Sequence, residues 1–118
     1  MSRYVTIKEN REFSRVYRRG KSFVSPLLVT YVIRSRDKNR PPRYGITTGK
    51  KVGNAVRRSR ARRVIRASYD HLYPQLQNGW EMIFVARAKT PFVKSQNVEK
   101  TMKNHLKQAG VLMNRGSA

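Results

Sequence analysis

Lys50-Lys51-Val52-Gly53-Asn54-Ala55-Val56-Arg57-Arg58-Ser59-Arg60-Ala61-Arg62-Arg63-Val64-Ile65-Arg66 is the stretch on which the fold turns. From Asn54 to Tyr73 the chain holds neither Gly nor Pro, and Pro74 follows. Asn is a favoured helix N-cap because its side-chain oxygen takes a backbone amide that the first turn leaves unpaired. The spacing therefore predicts the longest helix of the molecule over Asn54–Tyr73. Ahead of it, Tyr44 to Thr48 reads as a strand. Behind it, Trp80 to Ala86 is apolar and partly β-branched, with Asn78-Gly79 before and Thr90-Pro91 after, which is also strand chemistry. Strand, helix and strand follow one another, and if the two strands are parallel in one sheet the connection is ordinarily right-handed.

Working outward, Thr6-Ile7-Lys8-Glu9 fits a capping box, and Phe13, Val16 and Tyr17 share one helical face. A short amphipathic helix is predicted there, with Gly20 placed to end it at the C′ position. Phe23 to Ile33 is rich in Val, Leu, Tyr and Thr and reads as a strand with a break or edge position at Pro26. Arg34 to Arg43 carries Asp37, Asn39, Pro41 and Pro42, a loop or hairpin composition. A last helix is predicted from near Ser95, with Val98, Met102, Leu106 and Ala109 on one stripe and Gly110 as its stop. The order is α-β-β-α-β-α, an α+β chain (an α/β sandwich) in which helices cover a small central sheet. Trp80 and Phe84 are assigned to the core.

A length of 118 residues suits one domain, 1–118, with a frayed tail expected after about residue 113. Twenty-seven Lys and Arg stand against six Asp and Glu, a formal charge of +21. Such a chain repels itself when compact and calls for a polyanionic partner, nucleic acid first. No apolar run approaches the roughly 20 residues that span a bilayer, and the N-terminal residues lack the apolar block of a signal peptide. No membrane association and a cytoplasmic location are expected. Cysteine is absent, which removes disulfides, thiolate metal sites and a cysteine nucleophile. His71 and His105 have no second ligand at metal-binding spacing and read as surface or helix-end residues; no metal site is predicted.

Between Asp37 and Asp70 no acidic residue occurs, while eleven Lys and Arg accumulate. At about 100° per residue, Ala61, Val64, Ile65, Ser68 and Leu72 form a narrow stripe, and Arg58, Arg60, Arg62, Arg63 and Arg66 sweep the rest. A charged helix face is usually just solvated. Here Arg58 with Arg62, and Arg62 with Arg66, are like charges at i, i+4, each destabilising an isolated helix by roughly 0.2 to 0.5 kcal/mol, and no carboxylate offsets them. Guanidinium also makes bidentate contacts with phosphate. At the helix start, Gly53 permits close backbone approach and the amides after Asn54 lie at the positive end of the helix dipole. Lys50 and Lys51 stand beside it. The Gly-x-x-x-x-Gly-Lys-Ser/Thr pattern is missing, so no nucleotide-binding loop is read here.

Unpaired bases stack on rings while cations follow the backbone, so aromatics are the other half of a single-strand site. Phe13, Tyr17 and Tyr31 are the candidates, although the spacing of Phe13 and Tyr17 equally suits a core. Six scattered carboxylates suggest no metal-ion nuclease pair, and no Ser-His-Asp arrangement is readable. A structural ribosomal protein fits the composition too. A helix-turn-helix DNA-binding regulator fits less well, because strand chemistry precedes the basic helix.

The run from Lys50 to Arg66 resembles the signature helix of the bacterial ribonuclease P protein family. Phe13 through Gly20 is similar to that family's first helix, Leu27 to Tyr31 to its first strand, Tyr44-Gly45-Ile46 to the next, and Ile83 to Arg87 to the late strand. The resemblance implies a fold like the second domain of ribosomal protein S5, with a left-handed β-α-β crossover around the basic helix. It also implies a protein subunit that helps a catalytic RNA remove the 5′ leader from precursor tRNA. The family's Arg-Asn-Arg motif falls on Arg58-Ser59-Arg60, so Ser59 stands in place of the central Asn and lacks its amide. Arg57 projects near the apolar stripe and must snorkel or contact RNA.

Carried over position by position, the resemblance makes Lys50, Lys51, Asn54, Arg58, Ser59, Arg60, Arg62, Arg63 and Arg66 the RNA-facing set. Phe13, Tyr17 and Tyr31 become the wall of a leader cleft between the sheet and the first helix. The hydrolytic chemistry would belong to the RNA, with Mg²⁺ held mainly by RNA phosphates, no organic cofactor and no obligate protein partner.

Overall fold

The computed structural model describes residues 5–113; the predicted frayed tail lies outside them. Five strands, β1 (Val5–Thr6), β2 (Lys21–Val24), β3 (Leu28–Arg34), β4 (Arg43–Thr47) and β5 (Trp80–Ala86), form one sheet. Three helices, α1 (Asn10–Arg19), α2 (Ala55–Leu72) and α3 (Ser95–Ala109), pack on it. The sheet order is β1-β4-β5-β3-β2. β4 runs parallel to β1 and to β5, while β3 is antiparallel to β5 and to β2. The α+β class holds, and β4-α2-β5 is a parallel unit between neighbouring strands.

Strand alternation sorts the two faces. Leu28, Val32, Tyr44, Met82, Phe84 and Ala86 join Ala61, Ile65, Tyr69 and Leu72 of α2 and Val98, Met102 and Leu106 of α3 in the main core. Tyr44 and Tyr69 stack there with ring centroids 3.9 Å apart. Trp80 and Phe84 are buried as predicted. On the opposite face a smaller core gathers Ile7, Val16 and Ile83, with Phe13, Tyr31, Ile33 and Val85 packed around it. This face is covered by α1, and Gly45 makes the close approach possible: a Cβ there would lie 2.7 Å from the Phe13 ring.

Both predicted caps of the later helices form. The Asn54 side chain accepts the Arg57 amide at 3.0 Å, and Gly110 closes α3 in the left-handed conformation with φ 82°.

Four expectations change. The capping box does not form: Thr6 belongs to β1 and Glu9 is the N-cap, without a side-chain bond. Ile7 is buried and its amide bonds the Tyr44 carbonyl at 2.7 Å, so sheet pairing claims this segment. The chain does break at Pro26, but the break is a hairpin that makes Phe23 to Ile33 parts of two antiparallel strands, because Ser25 Oγ accepts the amides of Leu27 and Leu28. Gly20 follows α1 in extended rather than left-handed backbone; glycine is needed because a Cβ would meet the Val16 and Val32 carbonyl oxygens at 2.6 and 2.9 Å. His105 is no surface residue but is buried, its Nδ1 2.8 Å from Thr30 Oγ1 and its ring stacked on Phe23.

Candidate nucleic-acid interface

The turn before α2 is a 3-10 turn, Lys50–Val52, pinned by buried Val52. Gly53 after it has φ 128°, a conformation that L side chains rarely adopt, and its carbonyl accepts Arg58 Nε at 2.9 Å. Lys50 and Lys51 are left exposed beside the N-terminus of α2, whose first turn holds no acidic residue.

The buried stripe of α2 is Ala61, Ile65, Ser68, Tyr69 and Leu72; Val64 is only half-buried, and Tyr69 takes the place expected of it. The arginines then fall into three groups. On one edge, Arg58 bonds Gly53 and Arg62 Nη1 donates to Thr48 Oγ1 at 2.7 Å. On the other edge, Arg60 Nε donates to the Pro91 carbonyl and Arg57 lies over the Phe92 ring. Arg63 and Arg66, with Ser59, occupy the outermost face and have no hydrogen bond or ion pair to described residues. The predicted set is thus brought onto one helix and its leading turn, but Arg60 points away from Arg62.

Phe13, Tyr17 and Tyr31 come together across α1 and β3. Tyr17 meets Tyr31 edge to face at 4.8 Å and Phe13 at 6.3 Å. Phe13 and Tyr31 are half-buried, whereas Tyr17 is 38% exposed. Tyr31 also lines a groove of about 560 Å³ with Val29, Val85, Arg87, Lys89 and Lys51. Phe13 and Tyr17 do not line it. Lys51 therefore joins the turn before α2 to the open part of the sheet. The sequence reading leaves out the groove floor, although Val29 and Val85 are cross-strand partners on the alternation that carries Tyr31.

A second concavity, of about 540 Å³, opens where β4 and β5 begin. Its floor is Glu81, a buried carboxylate paired with Arg15 at 2.9 Å and Arg43 at 3.6 Å. Arg43 also meets Glu12 at 2.6 Å, and Arg11, Arg18, Arg19, Arg36 and Arg40 complete the rim. One acid inside an otherwise apolar strand is the sequence signal for this network. Burial holds His105 below its ordinary pKa. Among the described residues no group of three His, Asp or Glu gathers to hold a metal, and no helix is long and apolar enough to cross a membrane.

The ribonuclease P family model matches residues 1–110. The chain belongs to the ribonuclease P protein family. It is 40% identical to the ribonuclease P protein component of Clostridium novyi (strain NT) over 111 residues, spanning 94% of this chain and 98% of the relative. It is also 40% identical to that of Clostridium kluyveri over 107 residues, spanning 89% and 94%. The solved ribonuclease P protein of Staphylococcus aureus superposes with a TM-score of 0.80 at 27% identity, covering 94% of this chain and all of that one. That of Thermotoga maritima gives 0.75 at 22% identity over 87% and 96%, a likeness that speaks to the fold. A ribonuclease P protein assists the RNA subunit in processing the 5′ leader of precursor tRNA, and that is the function of this chain.

Proposed function

We propose that α2 and the turn before it bind the catalytic RNA of ribonuclease P, and that the groove beside Tyr31 receives the precursor's 5′ leader. The observation that carries this reading is Lys51, which belongs to the basic turn and also lines the groove, so one continuous positive surface serves both strands. Arg63, Arg66 and Lys50, which have no ion-pair partner among the described residues, supply cations to RNA phosphates. Tyr31 and exposed Tyr17 offer ring surface to leader bases, while Arg87 and Lys89 follow the backbone. Phe13, held over Gly45, positions Tyr17 rather than lining the groove.

The groups that cleave the phosphodiester belong, on this reading, to the RNA. Glu9, Glu12 and Glu81 are each engaged by arginine, so these three carboxylates are poorly placed to hold Mg²⁺, which is assigned to RNA phosphates. The protein lowers the repulsion between leader and RNA subunit, and so raises substrate affinity and the occupancy of Mg²⁺ between them. The reaction is assigned to the cytoplasm, where precursor tRNA is made.

The test is cleavage of a precursor tRNA carrying a 5′ leader by a matched ribonuclease P RNA at low and moderate Mg²⁺, with and without the protein. Protein-dependent cleavage at the mature 5′ end is the expected result, with the largest gain at low Mg²⁺. Tight RNA binding with no stimulation would overturn it.

A further inference from the structure

The segment between β5 and α3 carries a large ring in an unusual setting. Thr90–Phe92 is a 3-10 turn whose first two residues are buried. Thr90 Oγ1 donates to the Leu27 carbonyl and accepts the Arg87 amide, both at 2.8 Å. The Phe92 amide bonds the Lys89 carbonyl at 3.0 Å, and Arg60 of α2 holds the Pro91 carbonyl. The turn is thus fixed from three sides, yet Phe92 is 64% exposed. Packing does not account for the ring.

Its neighbours indicate what does. The Arg57 guanidinium lies 5.0 Å from the ring centroid, and Val56, 74% exposed, precedes it on the first turn of α2. No acidic residue occurs between Glu81 and Glu99, whereas Arg87, Lys89 and Lys94 flank the ring in the chain. A rigid, open aromatic ring among cations, without a carboxylate, is complementary to an unpaired base in a phosphate backbone. A second copy of the chain is a poor match for the same surface, because each copy carries +21.

We infer that Phe92, backed by Arg57, is a stacking platform for one unpaired nucleobase of bound RNA, with the surrounding cations taking the phosphates on either side. The inference rests on the RNA-binding reading above and adds a base contact on the edge of α2 opposite Arg62.

The experiment uses the full chain and its Phe92→Ala, Phe92→Leu and Phe92→Trp variants, titrated with a short single-stranded RNA. The strand carries 2-aminopurine at one position, and a matched strand is abasic there. Because the side chain is exposed, the variants should fold, which circular dichroism checks. The wild type should quench 2-aminopurine. Phe92→Ala should weaken binding roughly tenfold and reduce the quench to what the rings at the Tyr31 groove supply, while the slope of affinity against log salt stays the same. Phe92→Leu should lose as much, since it keeps apolar area but no ring, and Phe92→Trp should bind as the wild type does. The abasic strand should not distinguish the variants.

Steep salt-dependent binding that is equal for wild type, Ala and Leu would overturn the stacking inference alone. A Leu variant equal to wild type would overturn it in favour of a plain apolar contact. Self-association of the wild type that Phe92→Ala abolishes would overturn it in favour of a second copy. Absence of salt-dependent RNA binding by the wild type would overturn the RNA-binding reading and this inference together.

Discussion

Glu81 and His105 show how much single residues can weigh in a chain with so few acids. Glu81 is 2% exposed on β5 and is the shared partner of Arg15 and Arg43, so removing it leaves the largely buried Arg15 guanidinium without a carboxylate and Arg43 with Glu12 alone. Breaking a buried pair in this way costs about 3 kcal/mol. Urea unfolding of Glu81→Ala should show that loss, and Glu81→Gln, which keeps shape and an acceptor, should lose less; an Ala variant as stable as wild type would mean the network is not holding the sheet. His105 acts through pH. Desolvation lowers its pKa in the folded state below the ordinary 6.5, so the unfolded chain takes up the proton first as pH falls. Its contribution is fully present above that value and is lost as pH falls through the folded pKa. His71, exposed and paired with Glu99 at 2.7 Å, belongs to a different environment, so the comparison is between wild type and His105→Gln. Urea midpoints taken from pH 7.5 down to 5 should fall more steeply for the wild type, and parallel curves would contradict the assignment.

Elements whose signals are local are legible in the amino-acid sequence, and α2 is the clearest. Its Asn54 cap, its Gly-free interior and its arginine sweep all lie within one stretch, as do the Gly110 stop and apolar stripe of α3. What is not legible depends on partners far away in the chain. Two-residue β1 exists because Tyr44 is there to pair with it, and His105 is buried because Thr30, 75 residues away, meets its ring. Gly20 does stop α1, but not through a left-handed turn, since the Val32 carbonyl that helps exclude a Cβ belongs to another strand. The site divides the same way: the basic helix is legible, while the groove floor of Val29 and Val85 requires the register of β3 on β5. The helix itself separates stability from function. In Arg62→Ala/Arg66→Ala, removal of the i, i+4 repulsion should leave stability unchanged or a few tenths of a kcal/mol higher. RNA affinity should nonetheless fall, and the slope of log affinity against log salt should flatten by about 0.7 to 0.9 for each phosphate no longer neutralised. Titrations across NaCl concentrations, paired with urea melts, check both halves; an unchanged slope would remove this face from the interface.

For the protein as one charged body, the +21 acts on folding and on binding with opposite signs. The described residues extend 41 × 32 × 28 Å, while the Debye length is about 30 Å at 0.01 M salt and about 10 Å at 0.1 M. At the lower concentration nearly every cation repels every other; at the higher one only neighbours do. Self-repulsion therefore weakens chiefly between those two concentrations. Buried contacts such as Arg15 with Glu81 are screened much less, so they do not cancel the gain. The thermal midpoint of the free protein should rise with NaCl over this range and level off above it, as followed by calorimetry. RNA affinity should fall over the same range, because counterion release weakens with added salt. A midpoint that falls with salt would show that attractive surface pairs outweigh the net charge. With 27 Lys and Arg against six Asp and Glu, repulsion is the stronger effect, and bound RNA relieves it by supplying the anions that the chain itself lacks.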